Sequence, residues 1–259
     1  MKKVRIEKII CIIVICVISS CFIQRKTNNC NSYPKNYVPI DLNDAIEYLN
    51  CHWSEKNKKE FSSLPEKESV AKLHFGIGMG IRNGWELWKG ENDLVKFFNS
   101  YEVFHPDDMS SIILTSFHRK LNGKEINFEY QAQYFRDYWK SIEEFYEKET
   151  KRANEAYNKY QLDDTITIFM EMDRKEIDGV ITEETIIGLG PNYQWEYNSE
   201  KDLELKGKVI QKNISQDGAD VHFYIQVISM NKIGTVNTHW GNIVVGDTAK
   251  IRLRYLKYE

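Results

Sequence analysis

Apolar positions along this chain follow three successive patterns. The first is continuous: Ile9 to Ile18 reads IICIIVICVI behind the basic residues Lys2, Lys3, Arg5 and Lys8. Even extended to Ile23, this run is shorter than the ~20 residues that cross a bilayer as a helix. From Phe22 to Pro39 Asn, Lys, Ser and Pro dominate and no apolar period is visible. The second pattern, helical, begins near Asp41, where DLNDAIEYLN puts Leu42, Ile46 and Leu49 on one face behind acids suited to a first turn. Ser54 before Glu55, and Pro65 before EKESVAKLHF, repeat such start signals and predict two more short helices. Gly76, Gly78 and Gly80 predict a break that ends the third. Asp107 to Leu121 predicts the clearest helix of this half, with Met109, Ile112, Ile113, Phe117 and Leu121 at helical spacing and Asn122-Gly123 as its stop.

Phe128 to Tyr160 predicts one long helix, ~50 Å from end to end. Phe135, Tyr138, Ile142 and Phe145 recur in a 3-4-3 rhythm, and Glu144/Lys148, Glu147/Lys151 and Glu155/Lys159 are favourable pairs four apart. Its second half, KETKRANEAYNKY, is mostly polar, so the expectation is a solvated spacer; a coiled-coil dimer is the alternative, weakened by the scarcity of clean heptads. After Gln161 the period changes to alternation. TITIFMEM, GVITEETIIGL, LELKGKVIQK, DVHFYIQVIS, NIVV and AKIRLRYLKY read as six strands separated by turn residues, which predicts a small antiparallel barrel or sandwich.

The expected fold class is therefore α+β. A small all-α domain comes first, then one long helix, then a small antiparallel β-domain. The expected boundaries are a signal peptide over 1–20, a tether over 21–40, a helical domain over 41–126, the long helix over 127–161 and the β-domain over 162–259.

A basic segment followed by a short apolar run is the layout of a bacterial signal peptide. Its end, Ile18-Ser19-Ser20-Cys21, resembles a lipobox: apolar, small, small, cysteine. The lipoprotein pattern more often has Leu at the first position. The resemblance implies lipidation of Cys21; secretion after cleavage near Ser20 and an uncleaved signal anchor are the alternatives. More than one acyl chain would hold the protein on a membrane without spanning it. The expected location is the cell envelope, facing the periplasm or the exterior. Of the five cysteines, Cys11 and Cys16 fall in the segment expected to be removed and Cys21 would carry the lipid. Cys30 and Cys51 remain, either bridged, as an oxidising compartment allows, or free.

A formal net charge of −3 supplies no field that would recruit nucleic acid. From Leu162 to Glu259 there are 16 Asp and Glu against 11 Lys and Arg, and phosphate neutralisation is what most nucleic-acid affinity rests on. Nucleic acid is not an expected partner. A protein or glycan partner is expected on the β-domain, where His222, Tyr224, His239 and Trp240 are candidate surface residues; cross-strand packing explains them as well.

The densest group of unusual residues runs from His74 to His118, opening HFGIGMGIRNGWELW and continuing FHPDDMSSIILTSFHRKLNG. The glycines do not make a nucleotide loop, because the third glycine of a dinucleotide fingerprint would fall at Ile81 and no Gly-Lys-Ser/Thr follows. They read as a turn that lets helices pack closely. Arg82 and Asn83, with Trp85 and Trp88, offer a forked donor beside aromatic faces, a combination that holds anionic or sugar-like ligands; filling a core and bonding helix ends is the other reading. His105-Pro106-Asp107-Asp108 fits a helix start, with proline at the first position and acids facing the helix dipole. In a functional version His105, Asp107 and Asp108 would ligate a divalent metal with His74 or His118. His118 lies ten residues beyond Asp108, about 15 Å along a continuous helix, so those two cannot share an ion. Neither a metal nor another cofactor is expected.

The pattern GxGxxIRNxWxLW followed by HPDDMSxIIL is similar to an uncharacterised bacterial domain family, a domain of unknown function, over roughly residues 41–123. That resemblance implies a helical domain and carries no activity. Two functions are expected in competition. One is a non-enzymatic, lipid-anchored envelope protein that binds a partner. The other is an enzyme or small-ligand domain whose site gathers His74, Arg82, Asn83, Trp85, His105, Asp107 and Asp108.

Overall fold

A computed structural model describes residues 30–177, 180–188, 190–254 and 256–259. The expected signal peptide and the lipobox-like segment ending at Cys21 lie outside the described residues. The chain divides into two compact units, one ending at Arg136 and the other running from Asp137 to Glu259.

The first unit is helical. Its helices are α1 (Leu42–His52), α2 (Glu55–Ser63), α3 (Glu66–Leu73), α4 (Met79–Gly84), α5 (Asp93–Asn99), α6 (Pro106–Leu121) and the start of α7 (Phe128–Lys159). The expected helix starts at Asp41 and Ser54 are capped, their side chains accepting from the backbone N–H groups of Asp44 and Asn57, and Asn92 caps α5 in the same way through the Val95 N–H. Asn122 closes α6, and Gly123, at φ 64°, turns the chain away as a left-handed residue after a helix should. α6 is the central beam. Its Met109, Ile112, Ile113, Leu114 and Phe117 are fully buried, and Phe117 packs 5.2 Å from the Trp53 ring and 6.0 Å from Phe61.

Two expectations about this unit are corrected. Residues Phe22 to Pro39 were expected to act as a tether with order beginning at Asp41, but a bound strap starts at Cys30. Cys30 is bridged to Cys51, and the Tyr33 and Tyr37 hydroxyls donate to the two Asp44 carboxylate oxygens at 3.0 and 2.6 Å. The hydrogen bond to Asp44 pushes the Tyr37 hydroxyl up to about 12. The strap has no apolar period because polar bonds and rings hold it. The glycine run is not a break either: His74–Gly78 forms one π-helical turn that joins α3 to α4.

The second unit is a nearly closed, barrel-like, mostly antiparallel sheet. Its strands are β1 (Thr165–Ile177), β2 (Val180–Ile186), β3 (Leu203–Ile214), β4 (Val221–Met230), β5 (Val236–Thr238), β6 (Gly241–Ile243), β7 (Thr248–Arg252) and β8 (Lys257–Tyr258). Their order is β6-β5-β2-β1-β3-β4-β7, and β8 returns to pair with β1 at Ile168 and Phe169. β1 changes partner midway: Thr165–Met170 pairs with β3 and Glu171–Ile177 with β2. Ile166, Ile168, Leu205, Phe223, Ile225 and Ile251 fill the interior. Gly207 sits at a register shift in β3 where a Cβ would lie 2.7 Å from Ile225 Cδ1, so a side chain there would collide with the core. The described strands number eight, against six expected, because AKIRLRYLKY is split by a turn after Arg252 and VNT adds a short strand.

The second half of α7 is not a free spacer, because one of its faces is packed. Ala153, Ala156 and Tyr160 are buried in the barrel core, and Asn154 donates to the Gly218 carbonyl at 3.0 Å. Lys212 on β3 donates to the Tyr157 and Tyr160 carbonyls at 2.8 and 2.7 Å, placing a cation where the helix end carries partial negative charge.

Candidate functional site

The π-helical turn and the start of α6 meet at one side chain, Arg82. Gly78 makes the room: a Cβ there would lie 3.1 Å from Arg82 Nη1 and 3.3 Å from the Leu73 carbonyl. Arg82 is consequently buried, at 5% exposure. A buried guanidinium is tolerated only when its donors are matched, and they are. Nε contacts Asp107 Oδ1 at 2.9 Å, Nη1 donates to Ser110 Oγ at 2.9 Å and Nη2 donates to the His74 carbonyl at 3.3 Å. Ser110 in turn donates to the Asp107 carbonyl.

This scaffold fixes Asp107 while leaving its side chain 36% exposed. Two imidazoles flank it. His74 Nε2 lies 3.9 Å from Oδ1, and His105 Nδ1 lies 3.7 Å from Oδ2. His105 is also the cap of α6, its Nδ1 accepting from the Asp107 N–H at 3.2 Å. An accepting Nδ1 puts the proton of the neutral ring on Nε2. Outside the polar knot stand exposed rings. Phe75 meets His74 edge-on with centroids 4.8 Å apart, and Trp88 meets His105 at 5.7 Å. Phe75 is 80% exposed, Phe104 66% and Trp88 57%.

The structure therefore joins His74, Arg82, His105 and Asp107 and separates the rest of the expected set. Trp85 is buried in the core, edge-on to Tyr48 at 5.5 Å. Asn83 is exposed on α4, where its backbone carbonyl accepts from the Glu86 N–H. Asp108, one step further round α6, is buried. His118 is buried against Phe61, with Nε2 3.1 Å from the Leu64 carbonyl. Among the described residues no group of three or more His, Cys, Asp or Glu is placed to hold a metal ion. Sequence reasoning missed Ser110, Phe75 and Phe104; the only available signal was an aromatic residue directly beside each histidine.

Among the described residues, the concavities apart from this cluster include two with aromatic linings. One, about 580 Å³, is lined in the first unit by Trp53, Phe61, Leu64, Leu73 and Ile77. The other, about 430 Å³, is in the second unit and includes Glu184, Asn237, His239, Trp240 and Arg252. His222 and Tyr224 sit instead on β4 opposite Arg252 and Lys250 of β7, and burial holds the His222 imidazole below its usual pKa.

The family model of a domain of unknown function (DUF6794) matches residues 38–121, a span that contains every residue of the Arg82–Asp107 cluster. No curated protein and no solved structure matches the chain.

Proposed function

We propose that the protein is exported, held on a membrane by lipid at Cys21, and works at the outer face as a binding protein. The observation that carries this reading is the Cys30–Cys51 bridge, since structural disulfides persist in oxidising compartments and are rare in the cytoplasm. The bridge also supports a close attachment. Cys30 follows Cys21 by nine positions, which at full extension reach about 30 Å. The domain of unknown function would then work beside the lipid surface.

Palmitate labelling of wild type against Cys21→Ala in intact cells tests the attachment; equal labelling overturns it. Alkylation of thiols in the cell before lysis tests the compartment: Cys30 and Cys51 should react only after reduction, and prompt reaction of both would mean that the protein stays in a reducing environment.

A second reading, an enzyme or small-ligand domain, is favoured by one observation, the convergence of two separate sequence motifs on the Arg82–Asp107 pair. Asp107 between two imidazoles is the group such a site would use, and loss of ligand binding on Asp107→Asn without loss of stability is its expected signature.

A further inference from the structure

We infer that the apolar pocket between α1, α2, α3 and the π-helical turn is the docking site of this chain's own Phe22 and Ile23. The inference goes beyond the reading of the protein as exported and lipid-held, and shares with it only that residues 22 and 23 stay in the mature chain.

The pocket selects an apolar occupant. Its volume of about 580 Å³ lies inside the roughly 300–1,000 Å³ range of ligand pockets. Trp53 and Phe61 meet edge to face at 5.3 Å in its wall, and Leu64, Leu73 and Ile77 complete the apolar lining. Ile77 is 40% exposed, apolar surface that an occupant would cover. Four of the polar lining groups are engaged by the protein itself. Ser69 donates to the Phe61 carbonyl at 2.7 Å, and His52 Nδ1 lies 3.0 Å from the Tyr48 carbonyl. Lys72 pairs with Glu68 at 2.9 Å, and Glu60 with Lys56 at 3.9 Å. A charged ligand would compete with these contacts for its own partners, whereas an apolar side chain needs none of them.

Covalent connectivity selects which apolar residues arrive. The described chain begins at Cys30, whose Cα lies 5.4 Å from that of Cys51, and Cys51 is followed directly by the lining residues His52 and Trp53. The strap after Cys30 is joined to the same rim by the stacked rings of Tyr37, Tyr48 and His52, with successive centroids 6.3 and 4.0 Å apart. Residues 22–29 therefore enter the fold beside the pocket. Their sequence, FIQRKTNN, opens with Phe22 and Ile23 and is polar in the remainder. Left on that polar segment, the two side chains would face water; in the pocket they would not. Ile23 precedes Cys30 by seven positions, at most about 25 Å of chain. A site that close on the same chain is met at an effective concentration on the order of millimolar, which a free partner would have to match to compete. Docking would shorten the reach from Cys21 to the fold and set the helical unit directly against the lipid surface.

The test places the photo-crosslinking residue p-benzoylphenylalanine at position 22, and separately at position 23, of the full-length protein and irradiates intact cells. Mass spectrometry should find intramolecular products joining the probe to peptides that carry Trp53, Leu64, Leu73 or Ile77. Ile77→Glu, at a half-exposed position, should reduce them tenfold or more without changing the melting temperature. Asn57→Trp, which fills the mouth from an exposed position on α2, is the second variant and should do the same. Cross-links to phospholipid in place of the pocket, cross-links between two copies of the chain, or no cross-link at all overturn the inference. So do pocket cross-links that survive both variants. Palmitate labelling reads the attachment on its own, so labelled protein without pocket cross-links rejects the docking and leaves the lipid anchor standing. Pocket cross-links in unlabelled protein do the reverse.

Discussion

Helix α6 carries an arginine–carboxylate pair at each end, and the two ends differ in what they leave open. At the C-terminal end Arg119 grips both oxygens of Glu66, Nε on Oε2 and Nη2 on Oε1, each at 2.9 Å, and its Nη1 donates to the Ile126 carbonyl. Both carboxylate oxygens of that partly buried pair are taken by the one guanidinium, and it closes α3 onto α6. At the N-terminal end Arg82 takes one oxygen of Asp107, and the other faces His105 at 3.7 Å. The chemistry is the same, but one pair is a staple and the other presents a carboxylate to solvent amid exposed rings. A bidentate grip spends the carboxylate on the fold; a one-armed grip from behind positions it for something else.

The sharpest way to break this contrast is to remove the beam that both ends share. Phe117→Ala empties a fully buried site in mid-helix and should cost about 4 kcal/mol in urea unfolding, taking both ends with it. Arg119→Ala leaves Glu66 partly buried and unpaired and should cost about 2 kcal/mol while ligand binding at Asp107 is unchanged. The hydrogen bond from Arg119 holds the Glu66 carboxyl below its ordinary value of 4.5. Its stabilisation is therefore complete above that value and lost as pH falls through the lower, folded pKa. Acid titration of stability should accordingly be shallower in Glu66→Gln than in wild type. The smallest effect belongs to the open end. Gly80→Ala adds a Cβ into empty space on a helix and should stabilise by about 0.5–1 kcal/mol, whereas Gly78→Ala, crowding Arg82, should destabilise.

How much of this was legible follows from the kind of contact involved. α6 could be read because Met109, Ile112, Ile113 and Phe117 repeat on one face and Asn122-Gly123 stops them. The two motifs of the site could be flagged, but not their partnership, since nothing local in the sequence says that Arg82 turns inward past Gly78 to reach Asp107. Trp85 and Trp88 look equivalent three residues apart, yet the turn after α4 sends one into the core and leaves the other in water. The packed second half of α7 was hidden for a different reason. Its buried stripe is Ala153, Ala156 and Tyr160, and alanines add too little apolar character to stand out among lysines and glutamates. The strap over Tyr33 and Tyr37 is held by hydroxyl–carboxylate bonds, which leave no periodic trace.

The Cys30–Cys51 bridge also decides how the first unit would bear force. A pull applied to the chain before Cys30 passes through sulfur to Cys51 and loads α1 near its C-terminal end, bypassing the strap between the two cysteines. The Tyr33 and Tyr37 bonds to Asp44 then carry no tension and cannot be unzipped one at a time. Reduction would reroute the same pull into that strap and convert a load on the whole helix into sequential peeling.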